Sequence, residues 1–462
     1  MKLKLTQPKF KLLLLLSVLS ASALNVFAVN KVVTSSTTES NQSYNDSDPT
    51  LPALSVTTEG VTYTGTNITL SATNDSVSGA ISGQGAYVNN ANLLLTGGSI
   101  TATGSLGHGV YFDINSSSTL NNVAIKTSGY NSHGVIVSNT SALTLTGGNI
   151  STSGSTAYGV YLRVNSSATL NNVTVETTGY EGHGVSVNNS TLLLTGGSIS
   201  TSGNSASGLV FNSYSDNTVN NVTIETTGSA ASGVSVNNSS TMRLTNSNIS
   251  ATGSGAEALK SSYSSTAIVN LNHNILTGNI LAYAAGALTL DAANGSVLTG
   301  NVSVTTGGTI EITLSDAGTK LIGNFTRDAD ATSEITLTVG AGALFHGAGT
   351  LDNLTLESSA ILSYADGVLN VTDSITIGDG IIIDFSSLTS TGNYTVLNWT
   401  GATGGDSINA DQFSVTDPGI EGTFNVANNQ LTFNATAVPE PSTWFLIGAG
   451  LGTLALIRRR SS

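Results

Sequence analysis

The 462-residue chain has no cysteine and only 6 prolines, and Asp, Glu, Lys and Arg together make up 9% of it. Without cysteine there is no disulfide framework, no thiolate metal site and no cysteine nucleophile. Charge is scarce against the roughly 25% of an ordinary domain, and positive charge is the scarcest. Between Val32 and Ile457 the only cations are Lys126, Arg163, Arg243, Lys260, Lys320 and Arg327. Such a body cannot neutralise a row of phosphates, which excludes nucleic acid as a partner, and it would attract acidic glycans poorly. The net charge of −14 is the sparse negative charge that keeps an extracellular protein soluble. Aromatics reach 6%, yet hydrophobic residues still reach 39%, enough to bury a core and to argue against general disorder.

What fills the chain instead is Ser, Thr, Asn and 51 Gly, arranged in a repeat. Leu95 to Gly104 recurs as Leu145 to Gly154, Leu194 to Gly203 and Leu244 to Gly253. Between these copies lie Leu120 to Gly129, Leu170 to Gly179 and Val219 to Gly228, so the unit is 24 or 25 residues in two alternating flavours. A Gly-Val marker keeps step at Gly109, Gly134, Gly159, Gly184, Gly208 (with Leu209) and Gly233, with an earlier copy at Gly85. Each unit holds short runs that alternate apolar and polar, the strand period, and none shows the helical one. Val110 and Phe112 would face one side, with Tyr111 on the other. Ile100, Ile125, Ile150, Val175, Ile199, Ile224 and Ile249 form one column, and Leu95, Leu120, Leu145, Leu170, Leu194, Val219 and Leu244 another.

No 25-residue unit can bury its own apolar face, so equivalent residues must stack on their neighbours. The expected fold is all-β: a right-handed parallel β-helix with one coil per unit. Gly85 to Leu259 would then supply seven coils, a rod of roughly 34 Å at ~4.8 Å per coil. Gly97-Gly98, Asn121-Asn122, Gly147-Gly148 and their equivalents alternate in one slot, as a turn needing positive φ would require. From Asn270 the period blurs while the composition holds, and irregular coils are expected. That stretch resembles the passenger regions of autotransporter-like β-helix proteins, although no barrel of amphipathic strands follows it. The aromatic-rich end, with Tyr394, Trp399, Phe413, Phe424 and Phe433, is expected to cap the last open edge.

The two ends read as addresses. Lys2 to Lys11 is a basic segment and Leu12 to Leu19 a short apolar one, followed by cleavage candidates after Ala23 or Ala28, the pattern of a secretory signal peptide. At the other end Pro439-Glu440-Pro441 precedes an apolar span from Trp444 to Ile457 and the cluster Arg458-Arg459-Arg460. These three parts in this order resemble the PEP-CTERM sorting signal. The resemblance implies a Gram-negative bacterium, an exosortase-like processing enzyme as partner, and an envelope or exopolysaccharide destination. The span is short for a permanent anchor, and transient membrane insertion with the arginines held inside is expected. The expected organisation is a signal peptide over 1–28, a flexible lead-in over 29–59 and regular coils over 60–267. Irregular coils over 268–392, a β cap over 393–435 and the sorting signal with a short transmembrane segment over 436–462 complete it.

Catalytic chemistry is hard to find. Gly107-His108-Gly109 and Gly182-His183-Gly184 invite comparison with polygalacturonases, but the Asp cluster and basic clamp of those enzymes do not occur. Glycosidic cleavage needs two carboxylates at a set separation, and Asp113, Glu176 and Glu225 are scattered. His108, His133 and His183 share one slot with Tyr158, Ser207 and Ser232, and are expected to form a surface ladder beside a turn. No carboxylate recurs beside them, so no metal or other cofactor is expected. Asn-X-Ser/Thr triplets are as common as composition predicts. Tyr111 and Tyr161 fall on one outer column among Ser, Thr and Asn, a neutral hydrogen-bonding face suited to sugars or to matrix packing. The expected function is that of a non-enzymatic exported surface or matrix protein with a structural or adhesive role. The alternative is a polysaccharide-degrading β-helix enzyme, a lyase or hydrolase.

Overall fold

The computed structural model describes residues 30–438 apart from 49, 77–80, 366 and 400. The signal-cleavage candidates Ala23 and Ala28, and Pro439, Glu440, Pro441 and Arg458 to Arg460, lie outside the described residues. So does the apolar span expected over 444–457, and no described helix is long and apolar enough to cross a membrane.

One right-handed parallel β-solenoid of about 14 turns runs through the described chain. The three apolar columns stack in register. Ile100, Ile125, Ile150, Val175, Ile199, Ile224 and Ile249 are successive strand partners. Leu95, Leu120, Leu145, Leu170, Leu194, Val219 and Leu244 are likewise paired, as are Val110, Val135, Val160, Val185, Leu209 and Val234. None of these side chains is more than 2% exposed. Buried polar columns tie the corners. Thr127 and Thr152 donate to the carbonyls of Ser132 and Ala157 at 2.6 and 2.9 Å, and Thr177, Thr201 and Thr226 repeat the bond. Each such bond satisfies a hydroxyl that would otherwise be costly to bury.

The alternating Gly and Asn turns have a steric cause. Thr96 pairs with Asn121, so Gly97 is level with Asn122, one residue on from the expected alignment. Both are left-handed, at φ 67° and 52°. In Gly147 a Cβ would collide with the Oδ1 of Asn122 one coil below, and Gly196 stands in the same relation to Asn172. From Asn67 to Gly196 the asparagine of one coil fills the space that a side chain would need in the next, so Asn and Gly alternate; further on Asn246 follows Asn221 in the same left-handed slot.

The expected flexible lead-in is instead largely a first coil. Lys31–Val33 pairs with Leu54–Val56, Thr37–Ser40 with the strand Thr62–Ala72, and Ser43–Asn45 with the same strand further on. The apolar period is missing there because polar groups take inner positions. Lys31 binds Glu39 at 2.6 Å, and the hydroxyls of Tyr44 and Tyr63 donate to the same carboxylate. Beyond Asn270 the coils continue but change length. Leu288 stacks on Ile310, Ile310 on Ile335, and Leu337 on Leu354 only 17 residues later. Gly392–Asn398 and Phe413–Ser414 still pair parallel with Leu369–Ile377 and Ile381–Asp384, and the antiparallel pairing begins with Gln430–Ala437, which joins both Gly392–Asn398 and Glu421–Ala427. This hairpin covers the last coil with Phe433 stacked on Phe385, ring centroids 4.4 Å apart.

Candidate functional site

The glycine of the Gly-Val marker sets the site's floor. A Cβ on Gly109 would strike the carbonyl oxygen of Gly134, and Gly134 meets Gly159 in the same way. Adjacent coils therefore approach closely at this corner, and the residue before each glycine stands directly over its counterpart. That column reads Gln84, His108, His133, Tyr158, His183, Ser207, Ser232. It is not the surface ladder expected, since His108 and His133 are 9% and 5% exposed.

Side chains of this column accept from the backbone of the next coil. The His108 N–H donates to Gln84 Oε1 at 2.8 Å and the His133 N–H to His108 Nδ1 at 3.0 Å. The Tyr158 N–H donates to His133 Nδ1 at 2.9 Å and the Ser207 N–H to His183 Nδ1 at 3.0 Å. The rings stack: His108 on His133 at 5.0 Å and 8°, Tyr158 on His183 at 4.9 Å and 27°. An imidazole whose Nδ1 accepts carries its hydrogen on Nε2. Burial, and behind it the Arg163 charge, pushes His108 down to about 3, and burial pushes His183 down to about 4. His133, buried between them, is held well below its ordinary value. All three are neutral donors near pH 7. Parallel rings 5.0 Å apart with Nδ1 engaged do not converge on a metal, which needs ligand nitrogens at about 2 Å. Among the described residues there is no cluster of three or more His, Asp or Glu that could hold a metal ion.

Beside the ladder runs a second column, Tyr87, Tyr111, Ile136, Tyr161, Ser186, in strand register. The two columns pack edge to face, Tyr158 against Tyr161 at 5.3 Å and 88°. Arg163 closes the group. Its Nη2 donates to the Tyr111 hydroxyl at 2.8 Å, its Nε to Ser138 Oγ at 3.2 Å, and its guanidinium lies 5.7 Å from the centroids of both Tyr111 and Tyr161. Asp113 accepts from the Tyr87 hydroxyl at 3.1 Å. With His108, His133 and Tyr158, the side chains of Tyr87, Tyr111, Tyr161, Asp113 and Arg163 line a groove of about 410 Å³ that also meets Ser76 and Ile81.

Sequence reasoning placed Tyr111 and Tyr161 on one outer column and His108, His133 and His183 in one slot, and the structure brings the two sets together around Tyr158. It left out Tyr87, Ile136 and Arg163, which stepping by 24 or 25 residues from Tyr111 and Asp113 would have found. Asp113 belongs to the groove. Glu176 and Glu225 lie on another column with Ser200 between them, so these carboxylates do not pair across a substrate.

The description "Right handed beta helix region" matches residues 133–326, and "PEP-CTERM protein-sorting motif" matches 437–461. No curated protein sequence matches the chain. Among solved structures, a chain of the Vag8–C1 inhibitor complex is 16% identical with a TM-score of 0.45, over 84% of this chain and all of that one. The autotransporter UpaB from E. coli strain CFT073 is 13% identical with a TM-score of 0.34, over 88% of this chain and all of that one. The chain is an exported, envelope-associated protein that carries a right-handed β-helix region and, near its C-terminus, a PEP-CTERM protein-sorting motif.

Proposed function

We propose that the mature protein is a non-enzymatic rod at the surface or in the exopolysaccharide matrix of a Gram-negative bacterium, with a structural or adhesive role. The observation that carries this reading is the junction at the end of the solenoid. The capping strand Gln430–Ala437 runs directly into the sorting motif at 437–461, so processing there would release the capped rod intact. An exosortase-like enzyme acts near Pro439-Glu440-Pro441, after the apolar span and Arg458 to Arg460 have held the precursor in the inner membrane. Signal peptidase acts after Ala23 or Ala28. The outer ladders of Ser, Thr and Asn support a role in contact with water and matrix.

Mass spectrometry of the protein recovered from cells tests this reading. A mature C-terminus near 439–441 in the surface or matrix fraction is the expected result. A chain still ending at Ser462 in the inner membrane would overturn it. Release of reducing ends or unsaturated products from polysaccharides by the purified rod would replace it with the enzymatic reading.

A further inference from the structure

We propose that the groove between the histidine ladder and the tyrosine column binds a neutral glycan. This rests on the surface or matrix reading above and names the ligand class. The groove's size, about 410 Å³, lies within the range of small-ligand sites. Its wall is aromatic and half-buried at Tyr111 and Tyr161, which suits the apolar faces of a pyranose ring, while Tyr158, its faces covered by His133 and His183, adds its edge and hydroxyl. Its polar groups are mostly donors. His108 and His133 direct Nδ1 to the backbone, which leaves each Nε2–H without a partner among the described residues. These two donors repeat at the 5.0 Å spacing of the stacked rings. Arg163 has five N–H donors and uses one at Ser138 and one at Tyr111, so its other nitrogen can face a vicinal pair of hydroxyls.

Charge decides against an anion. The histidines are neutral, Asp113 offsets Arg163, and the chain as a whole carries −14. An acidic sugar would gain one guanidinium and face a carboxylate and a negative rod, whereas a neutral polyol loses nothing to either. Asp113 also supplies the acceptor that a sugar hydroxyl needs as a donor. The arrangement is local. One coil further on, Tyr161 gives way to Ser186 and Arg163 to Asn188, and the aromatic wall stops.

That replacement supplies the test. Tyr161→Ser and Arg163→Asn each install the residue that the next coil already holds in the same slot, so the coil keeps its fold, checked by circular dichroism and thermal melting. The mature protein is titrated calorimetrically with cello-, laminari- and manno-oligosaccharides, with polygalacturonate and a proline-rich peptide as comparators. The expected result is binding of at least one neutral oligosaccharide that persists at high salt. Each substitution should weaken it by roughly tenfold or more. Binding of polygalacturonate or the peptide alone, no binding of any neutral oligosaccharide, or affinity unchanged in both variants would overturn the proposal. Correct C-terminal processing with a silent groove would sink this inference alone. Cleavage of a bound oligosaccharide would sink the non-enzymatic reading and leave the groove.

Discussion

Acid should loosen the histidine ladder before it touches the rest of the rod. Each Nδ1 accepts a backbone N–H from the next coil, and a second proton can only enter at that atom, so protonation and the hydrogen bond exclude each other. The folded-state values lie below the ordinary 6.5, about 3 for His108 and about 4 for His183, with His133 well below as well. A lowered histidine stabilises the fold fully above 6.5 and loses that contribution as the pH falls from there toward the folded value. At pH 5 the unfolded side chain is almost wholly protonated and the folded one almost wholly neutral. Linkage then gives a loss of about 2 kcal/mol each for His108 and His183 relative to pH 8. That figure depends little on how far below 5 the folded values lie. His108 and His183 together amount to about 4 kcal/mol, a large part of the stability of many domains, and His133 acts in the same direction. Arg163 lowers His108 and His133 further, while Glu181 opposes the lowering at His183.

Solenoids open locally, so the loss should appear in hydrogen exchange at the three amides that donate to the rings. Protection of the His133 and Ser207 N–H groups, corrected for intrinsic rate, should fall roughly thirtyfold between pH 8 and pH 5, and that of the Tyr158 N–H should fall as well. The Ser232 N–H donates to Ser207 Oγ in the same column and should hold its protection. Replacing His108, His133 and His183 by serine, the residue this column uses further along, should flatten the pH dependence. Equal loss at Ser232, or no loss at the three amides, would refute the assignment of the bonds and the tautomers.

Other substitutions probe the stacking itself. Ile150→Asp places an unpaired charge in a core column at 1% exposure and should cost more than about 4 kcal/mol in urea denaturation, or prevent folding. Gly159→Ala aims a Cβ at the carbonyl oxygen of Gly184, 2.6 Å away, and should cost about 1–3 kcal/mol. Gly255→Ala meets nothing within 4 Å and should cost only the strain of its positive φ, about 1 kcal/mol; equal losses at both sites would discount the close approach. Glu39→Leu leaves the Lys31 ammonium and the Tyr44 and Tyr63 hydroxyls without their shared acceptor and should destabilise the first coil by about 1–3 kcal/mol, read by urea denaturation.

The fold was legible where one physical constraint acts on every coil. Ile125 and Ile150 must stack because neither can be buried alone, and a 25-residue spacing states that outright. Legibility failed where the constraint was met by other means. Residues 31–45 lack an apolar period because Lys31 and Glu39 satisfy each other at inner positions, so a coil looked like a linker. The Gly and Asn turn is legible but one residue out of step, since both glycines of Gly97-Gly98 turn left-handed whereas only the second asparagine of Asn121-Asn122 does, and aligning the pairs member to member hides that. The histidines were placed in the right slot and the wrong environment. A Gly-His-Gly sequence says nothing about burial, whereas the close approach at Gly109 and Gly134 accompanies rings of successive coils that stack on and cover one another.

The same contrast separates scaffold from site. Positions that every coil must satisfy vary little down the rod: glycine at Gly109, Gly134 and Gly159, isoleucine or valine at Ile125, Ile150 and Val175. Positions free to vary carry whatever distinguishes one stretch of the rod from another. The column Tyr87, Tyr111, Ile136, Tyr161 becomes Ser186, Val210 and Ser235, and the column His108, His133, Tyr158, His183 becomes Ser207 and Ser232. Serine in both columns shows that the solenoid itself does not require the aromatic rings or the imidazoles. Their concentration over adjacent coils, around Arg163, is therefore a property of that place and not of the repeat, and it is there that a ligand should be sought.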